Sequence, residues 1–204
     1  MKLIINIPGS YISAPTFNSI FRFVSWANQY KDFQVIMNNG SSSHVGFARE
    51  KLVGYTKDYI FPPEWQDYDY QLWIDSDIEF DHKHFEMLYD DKQDIVSGYY
   101  RMADGRNKCC VLLPGKEEFS SVEEIEENKT LLEVEHGGFG FILIKAGVFE
   151  KIGKPFFLDQ TIMRKGKISY VGEDIAFFYK ARKSGFIPYV DPRVRVLHYK
   201  TFLI

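Results

Sequence analysis

The stretch Tyr70-Gln71-Leu72-Trp73-Ile74-Asp75-Ser76-Asp77 places an apolar run directly before two acidic residues. The run predicts a strand buried on both faces, as in a mostly parallel sheet covered by helices. If strand geometry continues through Asp77, the carboxylates of Asp75 and Asp77 share one face, because side chains two apart in a strand point the same way. Open α/β sheets bind ligands at the carboxyl ends of their strands. The sequence therefore predicts two carboxylates together at that edge.

Two neighbouring carboxylates repel each other unless a cation or a hydrogen-bonded ligand offsets the repulsion. A divalent metal is one partner that oxygen ligands of this kind take. The other interpretation is that both acids are solvated at the start of a loop, or cap the helix that follows. The pattern Asp75-Ser76-Asp77 alone leaves both interpretations open.

The segments around this strand alternate between strand and helix patterns. Ser13 as a cap and Pro15 in the first turn predict a helix between two strands, at 2–7 and 33–37. This alternation predicts an α/β fold with a mostly parallel central sheet flanked by helices. Further strands are predicted at 94–100, 108–113, 130–135 and 194–198, and further helices at 45–57, 81–89, 120–123 onward and 174–184, so that the second half is small and mixed.

The composition of the 204 residues, 45% hydrophobic and 26% charged, predicts one domain with a core of its own. A net charge of −3 leaves no excess positive field for nucleic acid. No apolar run approaches the roughly 20 residues of a membrane span. Cys109 and Cys110 are adjacent, so we expect core thiols and not a disulfide framework. The residues at 1–8 form a strand pattern and not a signal peptide, so we expect a cytoplasmic protein.

Two features of the second half carry acidic or imidazole groups. Glu173-Asp174 opens a predicted helix, and His198 ends the last predicted strand. Acids at a helix N-terminus are favoured by the helix dipole, so the pair has a structural interpretation as well as a functional one. A strand-end histidine is likewise either a ligand or an ordinary hydrogen-bonded side chain.

In their order along the chain, these features resemble the nucleotide-sugar glycosyltransferases of the GT-A fold, particularly the inverting, metal-dependent enzymes with an Asp-x-Asp motif. The resemblance covers nearly the whole chain. It rests on Asp75-Ser76-Asp77, His136-Gly137-Gly138-Phe139-Gly140, Gly172-Glu173-Asp174-Ile175-Ala176-Phe177 and Val196-Leu197-His198. It implies a single glycosyltransferase domain over 1–204, with a nucleotide-donor half at 1–100 and an acceptor half at 101–204.

The resemblance implies a nucleoside diphosphate sugar, expected to be a UDP-sugar, as donor. Asp77 would be a direct metal ligand, Asp75 would reach the ribose or a metal-bound water, and His198 would complete the metal site. The expected ion is Mn²⁺, with Mg²⁺ as the alternative, because nitrogen donors suit transition metals. One departure from the family pattern is that Asn38 and Asn39 stand where an acid often holds the base or ribose.

The resemblance also implies a hydroxyl acceptor such as a glycan. Asp174 would take the proton from the attacking hydroxyl as general base, and Glu173 would orient the acceptor or sugar, although the two roles are exchangeable. A segment at 158–171 carries Arg164, Lys165 and Lys167, and is interpreted either as a lid over the diphosphate or as a solvated basic loop.

The remaining candidates lie near the ends of predicted elements. Pro8, Asn38 and Arg49 are candidate nucleotide contacts, Arg49 having the alternative of pairing with Glu50 or another acid on the surface. Gly137 and Gly138 would let the backbone approach the donor sugar, or would form an ordinary turn. The candidates for stacking on a sugar are Tyr99, Tyr100 and Phe139, with burial in the core as the alternative.

The sequence leaves two other functions open. One is a nucleotide- or carbohydrate-binding module without turnover. The other is a metal-dependent nucleotidyltransferase, which would ordinarily have a glycine-rich, basic loop after the first strand, and Pro8-Gly9-Ser10-Tyr11 is a poor version of that loop.

Overall fold

The computed structural model describes residues 1–53, 55–56, 59–60, 67–103, 107–164 and 166–200. The helices are α1 Ala14–Tyr30, α2 Val45–Leu52, α3 His82–Asp90, α4 Val122–Glu126, α5 Val148–Ile152 and α6 Glu173–Lys183. The strands are β1 Lys2–Pro8, β2 Gln34–Gly40, β3 Tyr55–Thr56, β4 Tyr59–Ile60, β5 Tyr70–Ile74, β6 Ile78–Glu79, β7 Ile95–Tyr99, β8 Leu132–Glu133, β9 Phe141–Lys145, β10 Gln160–Arg164, β11 Lys167–Val171, β12 Tyr189–Arg195 and β13 Leu197–His198.

The central sheet has the order β2-β1-β5-β9-β7-β12-β8. Strands β2, β1, β5, β7 and β12 run in one direction, while β9 and β8 run against their neighbours. The predicted α/β fold with a mostly parallel sheet and a mixed second half is therefore confirmed. Both halves of the chain supply strands to this sheet, and the division into donor and acceptor halves stays a prediction.

Successive side chains of β5 face different cores. Leu72 and Ile74 pack with residues of α1 and α3, whereas Trp73 packs with residues of α5 and α6. This period of two is what an extended strand dictates, and all three side chains are fully buried. Helices thus cover both faces of the strand that leads to Asp75.

A ladder of buried amides crosses three strands of the sheet. Asn38 Nδ2 donates to Asn6 Oδ1 at 3.1 Å, and Asn6 Nδ2 donates to Gln71 Oε1 at 2.8 Å. Asn38 Nδ2 also donates to the carbonyl of Leu52. The expectation that Asn38 lies in a loop is wrong, because β2 continues to Gly40. The Asn38 side chain bonds to the sheet and to α2, and its contact with a nucleotide stays a prediction.

Several predicted boundaries change. The start of α1 is confirmed, since Ser13 Oγ accepts from the Thr16 amide. Helix α2 ends at Leu52, before the predicted end near residue 57, which lies outside the described residues. The cap of α4 is Ser121 and not Ser120, because the Ser121 hydroxyl accepts from the Glu124 amide. The last predicted strand is two strands, β12 and β13, separated at Val196.

The segment at 158–171 contains an antiparallel hairpin, β10–β11, in which Met163 pairs with Ile168. Its prediction as a loop is wrong, and Lys165 and the side chains of Arg164 and Lys167 lie outside the described residues. Strand β9 and helix α5 were not predicted. Cys109 and Cys110 are buried free thiols, as expected.

Among the helices of the described residues, none combines the length and apolar character that spanning a bilayer requires.

Candidate functional site

The acidic motif lies where β5 ends. The strand stops at Ile74, and the Ile78 amide donates to the Asp75 carbonyl at 3.2 Å, which turns the chain at Ser76 and Asp77. Asp75 and Asp77 therefore do not share a strand face, and the prediction that they project together is wrong. Their carboxylates contact different partners.

Asp75 is bound to a buried arginine. Arg49 Nη2 lies 2.9 Å from Asp75 Oδ1, and Arg49 Nη1 lies 2.5 Å from Glu173 Oε1. The guanidinium carbon is 4.9 Å from the centre of the Phe139 ring. Arg49 is 4% exposed, so it is not the predicted surface arginine, and its acidic partners are not Glu50 but two acids of the predicted site.

A close approach of two helices lets Arg49 reach both acids. A Cβ atom at Gly46 would lie 2.6 Å from the Phe157 carbonyl oxygen and 3.1 Å from Glu173 Cβ. Glycine is required there because no larger residue has this space. The first turn of α2 thus packs against the start of α6, and Arg49, one turn further along α2, lies between Asp75 and Glu173.

The charges of this cluster shift its ionisation. Burial alone would lower the pKa of Arg49, but Asp75, Glu173 and Asp174 outweigh burial and raise it. Burial raises the pKa of Glu173, as does the charge of Asp174, while Arg49 opposes both. Arg49 therefore stays charged and holds the Glu173 carboxylate, which is only 13% exposed, in an ion pair.

Asp77 meets the end of the chain that the structure describes. Strand β13 pairs with β6 so that His198 stands opposite Ile78, directly after Asp77. His198 Nε2 lies 3.2 Å from Asp77 Oδ1, and Lys200 Nζ lies 2.8 Å from Asp77 Oδ2. Burial would raise the pKa of Asp77, but hydrogen bonds and charges from His198 and Lys200 lower it to about 2.

Tyr100 connects the two acidic contacts. Its ring centre is 4.8 Å from that of His198, and its Cε1 atom would lie 2.8 Å from a Cβ atom placed on Gly140. The same Cβ would lie 3.3 Å from Asp75 Oδ2. Burial, with Cys110 and Asp75, raises the pKa of Tyr100 well above its ordinary value, so its phenol is neutral. The clusters of Asp75 and Asp77 are therefore parts of one site.

The glycines before β9 are close to protein atoms. A Cβ atom on Gly138 would lie 2.5 Å from Cys110 Sγ and 2.6 Å from Tyr100 Cε1, and one on Gly137 would lie 2.7 Å from Ser97 Oγ. In this structure neither glycine is explained by a close approach to a sugar, because protein side chains fill the space that a Cβ would need.

Three other predicted contacts are buried. Tyr99 and Phe139 are each 1% exposed, and Pro8 is buried at the end of β1 opposite Gly40. Phe139 packs among core aromatic rings that include Trp73. The structure therefore does not support stacking of Tyr99 or Phe139 on a sugar, or contact of Pro8 with a nucleotide. All three side chains are buried against other residues of the protein.

Asp174 is the most exposed of the four predicted acids, at 34% of its side chain. It lies in the first turn of α6, where Oδ1 accepts from the Ile175 amide at 2.7 Å. Oδ2 lies 3.8 Å from His136 Nε2. One carboxylate oxygen thus faces an imidazole from the Gly-Gly segment.

A metal would find two protein ligands here. No three His, Cys, Asp or Glu side chains within the described ranges are placed to hold one ion, so the predicted set of Asp75, Asp77 and His198 is not assembled. Asp77 and His198 would fit as a pair of ligands, because a carboxylate oxygen and an imidazole nitrogen stand 3.2 Å apart and this donor set suits a transition-metal ion. Ions that serve phosphate substrates commonly have one or two protein ligands, with phosphate and water completing the shell.

Comparison with known proteins gives the fold. No model of a known protein family matches the sequence, and no curated protein matches it significantly. The structure is similar to "A197 from STIV" (TM-score 0.56, 20% identity, covering 100% of this chain and 97% of that one). It is also similar to "GalNAc-T7 with UDP, GalNAc and Mn²⁺" (TM-score 0.50, 11% identity, covering 98% of this chain and 44% of that one). A third similar structure is an inositol-1-phosphate CTP transferase from T. maritima (TM-score 0.50, 8% identity, covering 98% of this chain and 89% of that one). The fold is GT-A-like, a Rossmann-like fold found in glycosyltransferases and in a nucleotidyltransferase.

Neither Lys200 nor the role of His136 was predicted from the sequence. Lys200 follows His198 by two positions, and in an extended chain such residues share a face, so the pattern His-x-Lys was a usable signal. His136 was quoted only as the start of the glycine segment. Its contact with Asp174 joins distant parts of the chain and had no local signal.

Proposed function

We propose that this protein is a glycosyltransferase that moves a sugar from a nucleoside diphosphate donor, expected to be a UDP-sugar, to a hydroxyl acceptor. The observation that carries the proposal is the contact between Asp77 and His198, which joins the end of a central strand to the last described strand. The GT-A-like fold and the ligand-binding edge at which β5 ends support the same function.

On the donor side, Asp77 and His198 would hold the metal, expected to be Mn²⁺ with Mg²⁺ as the alternative. When bound, the ion supplies Lewis-acid stabilisation of the departing diphosphate. Lys200 places an ammonium at the same carboxylate and adds positive charge where the diphosphate would lie. Asp75 remains the candidate for the ribose, through Oδ2, since Oδ1 is bound by Arg49.

On the acceptor side, Asp174 is the candidate general base. It would accept the hydroxyl proton as the acceptor oxygen bonds to the anomeric carbon, while the bond from that carbon to the diphosphate oxygen breaks and its electron pair leaves with the diphosphate. Inversion follows if the hydroxyl attacks from the opposite face. Asp174 suits this role better than Glu173, because Glu173 is held by Arg49. Glu173 would orient the substrates through that pair.

The first experiment measures nucleoside diphosphate release from a panel of nucleotide sugars, with Mn²⁺, Mg²⁺ or a chelator. We expect release from at least one donor, and its loss with the chelator. Asp174→Asn should lower kcat by about 10²-fold or more and leave donor binding unchanged. The matched control is Asp94→Asn, an exposed acid at the amino end of β7, which should leave kcat unchanged. A folded Asp77→Ala protein with full metal-dependent activity would remove the proposed role of Asp77.

Two other functions are distinguished when CTP and UTP, each with a sugar phosphate, are added to the panel. Release of pyrophosphate from CTP or UTP with a sugar phosphate, and none from nucleotide sugars, would make the protein a nucleotidyltransferase, a function that the fold likeness to the CTP transferase favours. Tight nucleotide binding without turnover of any donor would make it a binding module. Limited proteolysis of 158–171, with and without nucleotide and Mn²⁺, tests the lid hypothesis for the hairpin, and unchanged cleavage would oppose it.

A further inference from the structure

A cleft of about 420 Å³ lies between α6 and the hairpin β10–β11. Its volume is in the range of about 300–1,000 Å³ that small-molecule sites occupy in proteins. None of the residues that line it was predicted from the sequence to bind an acceptor. The proposed donor, metal and base residues do not line this cleft.

The walls of the cleft are mainly apolar. Ile162 and Met163 contribute from β10, Ile175 and Tyr179 from α6, and Leu112 from the segment before α4. Ile162 is 6% exposed, so the hairpin is anchored at this point, whereas Met163 is more than half exposed at the rim. These walls can bury an aromatic or aliphatic group but offer few hydrogen bonds to a sugar ring.

The charged side chains at the rim already contact protein groups. Arg182 donates to Glu133 Oε1 at 2.8 Å and to the Val134 carbonyl at 3.0 Å. Lys183 Nζ lies 4.5 Å from the centre of the Tyr179 ring. The cleft also has one acid, Glu135, in its lining. This mixed and partly compensated set of charges does not favour a phosphorylated or otherwise highly anionic ligand.

Two residues of the cleft lining adjoin the candidate base, although Asp174 itself does not line the cleft. His136 lines the cleft, and its Nε2 atom lies 3.8 Å from Asp174 Oδ2. Ile175, the next residue after Asp174, lines it as well. A molecule that fills the apolar part of the cleft would therefore have its polar end near Asp174.

We propose that this cleft binds the acceptor through an apolar body, so that the acceptor is a hydroxyl compound with an aryl or alkyl group and not a plain glycan. This inference rests on the proposed function for the identity of the reaction, but the binding itself is independent of the donor. Ile175 and Tyr179 of α6 and Ile162 of the hairpin would enclose the apolar body, and the hydroxyl would lie between His136 and Asp174.

The test measures binding to the full chain in the absence of donor and metal, by isothermal titration. The probes are 4-nitrophenyl glucoside and methyl glucoside, which differ in the apolar group. We expect the aryl probe to bind at least about tenfold more tightly, because burial of an aromatic ring contributes more than about 1.4 kcal/mol. Tyr179→Ala should weaken aryl binding about five- to tenfold and leave methyl glucoside binding unchanged.

Two matched controls lie on the hairpin outside the cleft lining. Tyr170→Ala removes an exposed tyrosine, and Ile168→Asp is the control for Met163→Asp because Ile168 is an exposed hairpin residue that does not line the cleft. Met163→Asp should weaken aryl binding, whereas both controls should leave it unchanged. Because Met163 is exposed, its variant tests the cleft even if Tyr179→Ala unfolds.

Equal binding of both probes, or equal loss in the Tyr170 and Tyr179 variants, would overturn the inference. Aryl binding that depends on Tyr179 and Met163, in a protein that transfers no sugar, would support the cleft and contradict the proposed function. Sugar transfer to methyl glucoside with no preference for an aryl acceptor would support the proposed function and contradict the role of the cleft.

Discussion

The ammonium of Lys200 lies 2.8 Å from Oδ2 of Asp77, while His198 faces Oδ1 of the same carboxylate. The negative charge of the Asp77 carboxylate is therefore compensated by the Lys200 ammonium and by its contact with His198. An ion that binds at Asp77 must compete with Lys200, whose side chain is 43% exposed.

Replacement of Lys200 by methionine should strengthen Mn²⁺ binding in the absence of nucleotide. The substitution removes the ammonium from Oδ2 and makes the site more negative, so we expect the dissociation constant to fall about three- to tenfold. Titration calorimetry with Mn²⁺ measures the change. Lys31→Met, which breaks an exposed pair with Glu86, is the control and should have no effect. Weaker Mn²⁺ binding in Lys200→Met would contradict the competition.

Replacement of Arg49 by methionine should destabilise the protein strongly. Asp75 and Glu173 would lose their shared cation, and removal of one partner from a buried ion pair costs about 3–5 kcal/mol. Urea unfolding at pH 7 gives the free energy of unfolding. Arg22→Met on the exposed face of α1 is the control, with an expected change within about 0.5 kcal/mol.

The triple variant Arg49→Met, Asp75→Asn, Glu173→Gln separates lost charge compensation from lost packing. It should recover part of the stability, because neutral amides replace the two uncompensated carboxylates. If the single Arg49 variant were as stable as the wild type, the buried pair would have no net role in the fold.

The stability of the protein should depend on pH through Asp91. This carboxylate is 7% exposed, and Arg193 Nη2 lies 2.8 Å from its Oδ1 and 2.7 Å from Asp191 Oδ2. Burial and the charge of Asp191, with a smaller contribution from Asp90, raise the pKa of Asp91 to about 7, although Arg193 opposes the shift. The folded state therefore binds a proton more tightly than the unfolded chain, whose aspartate pKa is about 3.9.

The stabilisation from protonated Asp91 is complete below about pH 4 and is lost as the pH rises to about 7. Asp91→Asn removes this titration, so only the wild type loses this stabilisation as the pH rises. The free energy of unfolding of the variant minus that of the wild type should therefore increase by more than about 1 kcal/mol between pH 4 and pH 8. Urea unfolding across this range is the measurement. Asp90→Asn, which removes an exposed neighbour with only a small contribution to the Asp91 pKa, should keep most of the wild-type pH dependence. A difference that is constant with pH would refute the assignment to Asp91.

Substitution of alanine for Gly138 should destabilise the site. The new methyl group would lie 2.5 Å from Cys110 Sγ and 2.6 Å from Tyr100, and overpacking of this kind costs about 1–3 kcal/mol. Displacement of Tyr100 should also weaken nucleotide binding. Gly172→Ala, whose nearest atom would be 3.6 Å away, should cost less in urea unfolding. An unchanged stability of Gly138→Ala would mean that Tyr100 moves freely.

The alternation of elements and the strand before Asp75 could be predicted because their signals are local. Ser13 and Pro15 mark the start of α1, and the apolar residues of β5 mark a buried strand. The turn at Ser76 could not be recognised in the same way, because strand periodicity says nothing about where a strand stops. Hairpin β10–β11 had a signal that was misread, since Gly166 lies between two alternating segments.

The groups of the candidate site that lie at strand ends could be predicted from the sequence. The contacts that depend on two distant elements packing together could not. His198 and Asp77 were expected to approach each other, and they do. The pairing of Arg49 with both acids depends on the close approach of α2 and α6 at Gly46, which no pattern within either helix reveals. The burial of Phe139 and Tyr99 likewise depends on neighbours from other parts of the chain.

The amide ladder of Asn38, Asn6 and Gln71 fixes more than the stability of three strands. Each amide meets its partner in only one register, and a slip of one residue would leave buried amides unsatisfied. The ladder thus helps to fix the register of β5 against β1. The register in turn determines the position at which the chain leaves the sheet at Asp75. Replacement of any one of these three residues by an apolar residue would remove this constraint on the register, and with it a constraint on the position of Asp75.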